Sequence, residues 1–120
     1  MTESTPKWQR RNRSRDLTGL GWLEAEVLRI VWDEGQVTVR DVYETLRERR
    51  RIAYTTVMSV LRNLAAKDLL EQDKSSSAYV YRPRVSDIEV ARGILDALVE
   101  QIMGGRREPL IEYLQHKPGD

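Results

Sequence analysis

The stretch AYTTVMSVLRNLAAK, residues 53–67, has the spacing of a helix with one aliphatic and one polar side. At about 100° per residue, its aliphatic side chains fall on one arc of a helix, which predicts a core-facing side. These side chains are Val57, Val60, Leu61 and Leu64. The opposite side, called here the polar arc, consists of Thr55, Thr56, Ser59, Arg62 and Asn63. The polar arc contains no Asp or Glu, although solvated helices commonly carry pairs of acidic and basic side chains.

An acid-free polar arc suits a helix that enters the major groove of DNA. Acidic side chains there would repel phosphates, whereas hydroxyls can bond phosphates or bases and one Arg can pair with guanine. The alternative is that threonines near the start of a helix serve only as good N-terminal residues. That alternative accounts for Thr55 or Thr56 but leaves the rest of the arc unexplained. We therefore predict that the polar arc reads DNA.

Two more helices are predicted before this stretch. The segment WLEAEVLRIVWDEG, from Trp22, ends at Gly35, a suitable C-terminal glycine. A short β-prone segment, Val37 and Thr38, follows, and Thr38 can cap a second helix that ends in the ERRR run at residues 48–51. The predicted buried residues are Leu23, Val27, Ile30 and Val31 in the first helix and Val39, Val42 and Leu46 in the second.

A hairpin is predicted after the third helix. Residues 70–73 and 78–82 are short runs joined by Lys74 and three serines, and Pro83 closes the second run. The resulting order is helix, strand, helix, helix, strand, strand, which is that of a winged helix. The predicted fold class is mainly α with a small β-hairpin: a winged helix-turn-helix domain followed by a short helical region.

The helix predicted after Ser86 has a different apolar spacing. Its apolar residues recur at intervals of 3, 4, 3 and 4, as in the seam of a short coiled coil, and Val90, Ile94 and Ala97 add a second apolar face. After Gly104 and Gly105, a final short helix begins at Pro109. The seam and the final helix predict a dimer interface of Ile88, Ala91, Leu95, Leu98, Ile102, Leu110, Ile111 and Leu114. The alternative is that the seam helix packs back on its own domain.

Length and composition limit the other functions. A chain of 120 residues with 40% hydrophobic content supports one small domain with extensions. Without cysteine and with a single histidine, His116, neither a thiolate metal site nor a Ser/His or Cys/His pair is expected, so we predict no enzyme, metal or cofactor. No apolar run reaches membrane-spanning length and the first 16 residues lack a signal-peptide centre, so we expect a cytoplasmic protein without membrane insertion.

Charge is distributed unevenly along the chain. Residues 1–85 carry 16 Lys/Arg against 12 Asp/Glu, whereas residues 86–120 carry 4 against 7. Residues 1–16 are basic and almost without aliphatic side chains, which predicts a disordered arm that either aids solubility or follows DNA phosphates. The predicted division is therefore a basic arm (1–16), a winged-helix DNA-binding domain (17–84) and a helical dimerisation region (85–120).

Four motifs in order carry a family resemblance. LGWLEAEVLRIVWDEG, TVRDVYETL, IAYTTVMSVLRNLAAKDLL and AYVYRPRVS resemble the penicillinase-repressor family, the BlaI/MecI-type transcriptional regulators, over residues 20–86. The resemblance implies a winged-helix repressor that binds a palindromic operator of double-stranded DNA as a homodimer. It places the recognition helix at Thr55 and Thr56 and the wing at the serine turn. The alternative is a winged-helix module that binds a partner protein without direct contact with DNA.

The sequence departs from this family at three places. Asp68 stands where the family commonly has glycine, which implies a left-handed backbone position that Asp tolerates at some cost. Ser77 stands where the wing often has arginine. Family members that control β-lactam resistance are cleaved after signalling by a membrane metalloprotease sensor. In those relatives the cleavage occurs at an Asn–Phe pair, whereas this sequence has Glu112 and Tyr113 at the corresponding position, which argues against the protease sensor as a partner.

The predicted DNA contacts are Tyr54, Thr55, Thr56, Ser59, Arg62, Asn63, Arg40, Lys67, Lys74, Ser75, Ser76 and Arg82.

Overall fold

A computed structural model of the chain describes residues 19–116. Within them the chain forms five helices and a three-stranded sheet, in the order that the sequence predicts. The elements are α1 (Trp22–Glu34), β1 (Val37–Thr38), α2 (Val39–Arg47), α3 (Tyr54–Ala66), β2 (Leu70–Asp73), β3 (Val80–Pro83), α4 (Asp87–Gln101) and α5 (Glu108–Gln115). The arm predicted at residues 1–16 lies outside the described residues. Among the described helices, none has the length and apolarity to cross a membrane.

Side-chain caps begin α2 and α4 at the predicted residues. The Thr38 hydroxyl accepts from the N–H of Asp41 at 3.2 Å, and the Asp41 carboxylate accepts from the N–H of Thr38 at 2.9 Å. Ser86 and Glu89 repeat this reciprocal pair at the start of α4, at 3.1 and 2.7 Å. Each capping box satisfies two backbone donors that the first helical turn leaves without partners. The sequence signals for both starts are therefore confirmed.

Helix α2 ends close to the predicted run of residues 48–51. Its last residue is Arg47, with Glu48 as the C-terminal cap, and the N–H groups of Arg49 and Arg50 both bond to the carbonyl of Leu46 in a tight turn. The guanidinium groups of Arg49 and Arg50 both reach Glu26 on α1. A tertiary ion pair therefore directs this run of arginines away from the helix, and a local pattern cannot show that partner.

Helix α3 ends in a left-handed turn at Asp68, where the family commonly has glycine. Asp68 has φ of 68°, in the left-handed region that the sequence predicted for it. The N–H of Leu69 bonds the carbonyl of Leu64 at 3.0 Å, and the N–H of Asp68 bonds that of Ala65 at 3.0 Å. These two bonds form a Schellman motif, and both leucines are fully buried. The motif turns the chain from α3 directly into β2.

The sheet is antiparallel with strand order β1-β3-β2. Val37 pairs with Tyr81, and Gln72 pairs with Tyr81 from the other side. The second hairpin strand runs over residues 80–83, two residues later at its start than predicted, and Pro83 pairs with Leu70 at the start of β2. Residues 74–79 therefore form the connection between β2 and β3, called here the wing.

One apolar core lies between the helices and the sheet. Every aliphatic residue predicted on the core side of α3 is buried, as are Val27, Ile30 and Val31 of α1 and Val42 and Leu46 of α2, whereas Leu23 and Val39 are only partly buried. The prediction missed Leu28, which is fully buried. Tyr81 is 1% exposed, and its hydroxyl accepts from the Gln72 amide at 2.6 Å, so the buried polar group has a partner.

Helix α4 uses its two apolar faces differently. Val90 is buried and Ile94 packs against the core, and the indole N–H of Trp32 donates to the carbonyl of Val85 at 3.0 Å just before the helix. The seam residues Ile88 and Leu95 remain 54% and 38% exposed. The face of Val90 thus attaches α4 to the domain, and the seam face is left without an apolar cover among the described residues.

Gly35 supplies a testable backbone requirement. It ends α1 with φ of 88°, and a Cβ there would meet nothing within 4 Å, so only the backbone conformation opposes a side chain. Gly35→Ala should lower the free energy of unfolding by about 1–2 kcal/mol. Gly21→Ala is the control, because Gly21 has φ of −76° and similar open space; its effect should stay below about 0.5 kcal/mol. Urea unfolding measures both, and equal effects would contradict the account.

Candidate nucleic-acid interface

The polar arc of α3 lies on the surface of the domain. All five of its side chains are exposed, while the aliphatic side of the same helix is buried against the core. Helix α3 packs on both α1 and α2, so the arc points away from the rest of the helical layer. The structure therefore brings the five predicted reading residues together on one convex, acid-free surface.

Tyr54 begins α3 beside a second tyrosine. Its ring is 5.4 Å from that of Tyr43 on α2 at an interplanar angle of 71°, an edge-to-face arrangement. The guanidinium of Arg47 lies over Tyr43 at 5.4 Å. Tyr54 is 42% exposed, so its ring is held in place on one side and reachable on the other. The predicted contact residue thus stands at the edge of the polar arc.

The arginine run 49–51 lies directly before α3, and the prediction did not include it among DNA contacts. Arg49 and Arg50 are engaged by Glu26, and Arg50 also lies over the Trp22 ring at 4.8 Å. Hydrogen bonds from Arg50 and then Arg49 hold the pKa of Glu26 below its ordinary value of 4.5. Arg51 is exposed three residues before Tyr54. We add Arg51 to the candidate contacts; the triple arginine was the signal that could have indicated it.

Two predicted basic contacts lie in different environments. The side chain of Arg40 on α2 is 72% exposed and pairs with Glu44 at 3.2 Å, an arrangement that leaves it accessible. Lys67 does not lie on the open surface: its side chain is 11% exposed, and its ammonium pairs with Glu24 at 2.8 Å. The expectation of a contact between Lys67 and DNA is corrected on this ground, because the ammonium is directed into the domain.

The wing carries the remaining predicted contacts. Lys74, Ser75 and Ser76 are exposed, and the Lys74 ammonium lies 5.8 Å from the centre of the Tyr79 ring. The Ser76 hydroxyl donates to the carbonyl of Ala78 at 2.8 Å, which fixes the turn. An exposed lysine and a row of serines can donate to phosphates.

Asp73 and Arg82 brace the base of the wing. The Asp73 carboxylate accepts from the N–H of Ser75 at 2.9 Å and from the Arg82 guanidinium at 3.0 Å. Arg82 also donates to the Gln36 amide at 3.2 Å. Hydrogen bonds from the side chain and backbone of Ser75, and then from Arg82, lower the pKa of Asp73 from 3.8 to about 2. The Arg82 guanidinium is therefore engaged in hydrogen bonds to Asp73 and Gln36, and the Asp73 carboxyl stays ionised at neutral pH.

The predicted dimer residues lie on α4, on α5 and at Ile102 between them, and all are exposed or half-buried. Ile102 and Leu114 are each 60% exposed and Ile111 is 47% exposed, whereas Ala91, Leu98 and Leu110 are half-buried. Tyr113, which the prediction did not include, is 57% exposed on α5. We call Ile88, Leu95, Ile102, Ile111, Tyr113 and Leu114 the apolar surface.

Comparison with known proteins identifies relatives of the chain. A profile of the penicillinase repressor family matches residues 20–117. Transcriptional regulator BlaI from two strains of Mycobacterium tuberculosis is 38% identical over 107 residues, which cover 87% of this chain and 78% of that regulator. An uncharacterised 16.5 kDa protein of Latilactobacillus sakei is 31% identical over 84 residues, covering 70% of this chain and 58% of that protein.

A solved structure shares the fold. The solution structure of the DNA-binding domain of the repressor BlaI matches with a TM-score of 0.53, covering 60% of this chain and 88% of that domain at 21% identity. The comparison and the order of the elements confirm the predicted winged-helix fold.

The wing offers a direct test through the pKa of Asp73. Ser75→Ala removes the hydroxyl that contributes most to the lowered pKa, so the midpoint should rise from about 2 toward 3.8. Because the folded pKa is the lower one, the stabilisation is complete above the unfolded value and is lost as pH falls through the folded value. Carboxyl-carbon NMR between about pH 1 and 5 measures the midpoint. Ser77→Ala is the control and should leave it unchanged; an unshifted midpoint in Ser75→Ala would refute the assignment.

Proposed function

Because the chain belongs to the penicillinase repressor family, we propose that it represses transcription by binding a palindromic DNA operator as a homodimer. In this proposal the polar arc of α3 reads bases in the major groove, and the wing and neighbouring arginines contact phosphates. The observation that carries the proposal is the exposed, acid-free arc on a helix whose other side is fully buried.

The chemistry of the arc fits base reading. Arg62 can donate two hydrogen bonds to the O6 and N7 of guanine, and Asn63 can make the corresponding pair with adenine. The shorter side chains Thr55, Thr56 and Ser59 let the helix approach closely and offer hydroxyls to bases or phosphates. No carboxylate of α3 opposes this approach, because the helix contains none.

Three exposed cations on other elements of the domain suit the phosphate backbone. Arg51 lies just before α3, Arg40 is on α2, and Lys74 is on the wing. Such contacts orient a protein on the duplex without reading sequence, and each releases counterions. In the proposed complex, the arc supplies the sequence preference and these three cations supply salt-dependent affinity.

The apolar surface supports the homodimer. The large aliphatic side chains of the apolar surface are 38–60% exposed, and complete burial of each against a second copy would stabilise the pair by up to roughly 1.5–3 kcal/mol. A two-fold interface places the same residues on both sides. Two winged-helix domains joined in this way would read two half-sites about one or two DNA turns apart.

Selection from a randomised pool of DNA duplexes tests the proposal. The full-length protein should enrich an inverted repeat whose half-sites are separated by about one or two helical turns. Enrichment of a single half-site would contradict the dimer. A pool that stays unenriched, with no salt-dependent shift of duplex DNA, would instead favour the alternative of a protein-interaction module.

Arg62→Ala should weaken binding to the selected duplex by about 1–3 kcal/mol and relax the preference at one base pair in each half-site, because it removes a bidentate contact with guanine. Electrophoretic shift or fluorescence anisotropy on selected and random duplexes measures the difference. Arg84→Ala is the control, since Arg84 is an exposed arginine between β3 and α4, outside the proposed contacts. Equal losses on both duplexes would show that Arg62 contacts phosphate instead.

Leu95→Asp should make the monomer the dominant species, since the two-fold interface would then bury two carboxylates without partners. The DNA-binding domain should stay folded while most affinity for the selected duplex is lost. Gln101→Asp adds the same charge at an exposed position of α4 outside the seam and should leave the dimer intact. Sedimentation at micromolar concentration measures both; an unmodified protein that sediments as a monomer refutes the homodimer.

A further inference from the structure

We propose that Glu24 and Glu26 of α1 are positioning residues that hold the C-terminal end of α3 and the turn that precedes the helix, and thereby set the orientation of the polar arc for base reading. This inference rests on the proposed DNA-binding function. It assigns a role in discrimination between DNA sequences to two carboxylates that do not lie on the reading helix.

The first carboxylate holds the end of α3. Lys67 is the C-terminal cap residue of the helix, and its ammonium lies 2.8 and 3.0 Å from the two carboxylate oxygens of Glu24 and 3.2 Å from the carbonyl of Gly19. An ammonium has three N–H donors, so these three acceptors satisfy it completely. Both side chains are largely shielded, at 11% and 16% exposure, so salt screens the pair only weakly.

The second carboxylate holds the approach to α3. The two oxygens of Glu26 accept from Arg50 and, at 2.8 Å, from Arg49, in the turn that leads into the helix. The ring of Trp22 lies under the Arg50 guanidinium and packs it from another side. Arg49 is about half exposed, so its bond contributes less than that of Arg50.

The two carboxylates act from different sides of α1. Residues two apart on a helix are separated by about 200°, so Glu24 and Glu26 project on opposite flanks. One flank receives the end of α3 and the other receives the turn before it. Helix α1 therefore contacts the C-terminal end of the reading helix and the turn before it through directional bonds.

Directional bonds can resist small rotations and slides of α3, which the apolar core resists only weakly. Burial of the aliphatic side of α3 is strong but non-directional, so it resists separation of the helices more than small rotations or slides. Base reading needs donors and acceptors held within about 0.5 Å of the required geometry. Ion pairs at the end of α3 and in the turn before it restrict those small movements, and their loss should affect base contacts more than phosphate contacts.

A charge-neutral double substitution, Glu24→Gln with Lys67→Met, tests the inference in the full-length protein. The introduced amide keeps an oxygen that can accept from the N–H of Gly21, as the Glu24 carboxylate does at 3.1 Å. Affinity for the selected duplex should fall about tenfold, the scale of one lost base contact, while affinity for random duplex and its salt dependence should not change. Lys74→Met is the comparison variant and should weaken both duplexes equally, as a phosphate contact does.

Other outcomes would overturn the inference. Unchanged discrimination in the double variant would show that the pair does not position α3. Equal losses on both duplexes with a shallower salt dependence would show that Lys67 contacts phosphate. If circular dichroism shows that the double variant is unfolded, Glu26→Gln decides the question. The two released arginines should raise affinity for both duplexes through phosphate contacts, whereas the lost positioning should make the gain smaller on the selected duplex, so discrimination should fall. Unchanged discrimination refutes the proposal. Failure of the unmodified protein to discriminate would instead refute the proposed function.

Discussion

Burial of the aliphatic side of α3 holds the domain together. The buried side joins α1, α2 and the sheet through a shared core, so the position of the helix is determined by nearly every other element. The exposed side then has no role in folding and can be specialised for contact with a polyanion. Separating the two sides by helical spacing lets 13 residues serve both purposes.

Helical spacing and capping chemistry made most of the fold predictable. The aliphatic side of α3, the caps at Thr38 and Ser86 and the left-handed Asp68 all follow from local rules, and the structure has each of them. The partner of Arg49 and Arg50 and the environment of Lys67 could not be predicted, because both depend on carboxylates of α1 that are distant in sequence. Local patterns show which side chains are charged and leave the tertiary partner unspecified.

The candidate site shows the same limit. The polar arc is confirmed as one exposed surface because helix geometry alone assembles it, whereas the wing depends on a hydrogen-bond network around Asp73 that begins in β2 and reaches Gln36 before β1. On α4 the sequence showed two apolar faces without showing which belongs to the domain. Burial assigns the face of Val90 to the domain core and leaves the seam of Ile88 and Leu95 on the outside.

Amide chemical shifts of the isotope-labelled protein, recorded with and without a duplex selected from a randomised pool, test the central claim most directly. We expect the largest changes in amide chemical shift in the polar arc, at residues such as Thr55, Thr56 and Ser59, with further changes in the wing at Ser75 and Ser76. Changes confined to α4 and α5, with the amides of α3 unaffected, would contradict it.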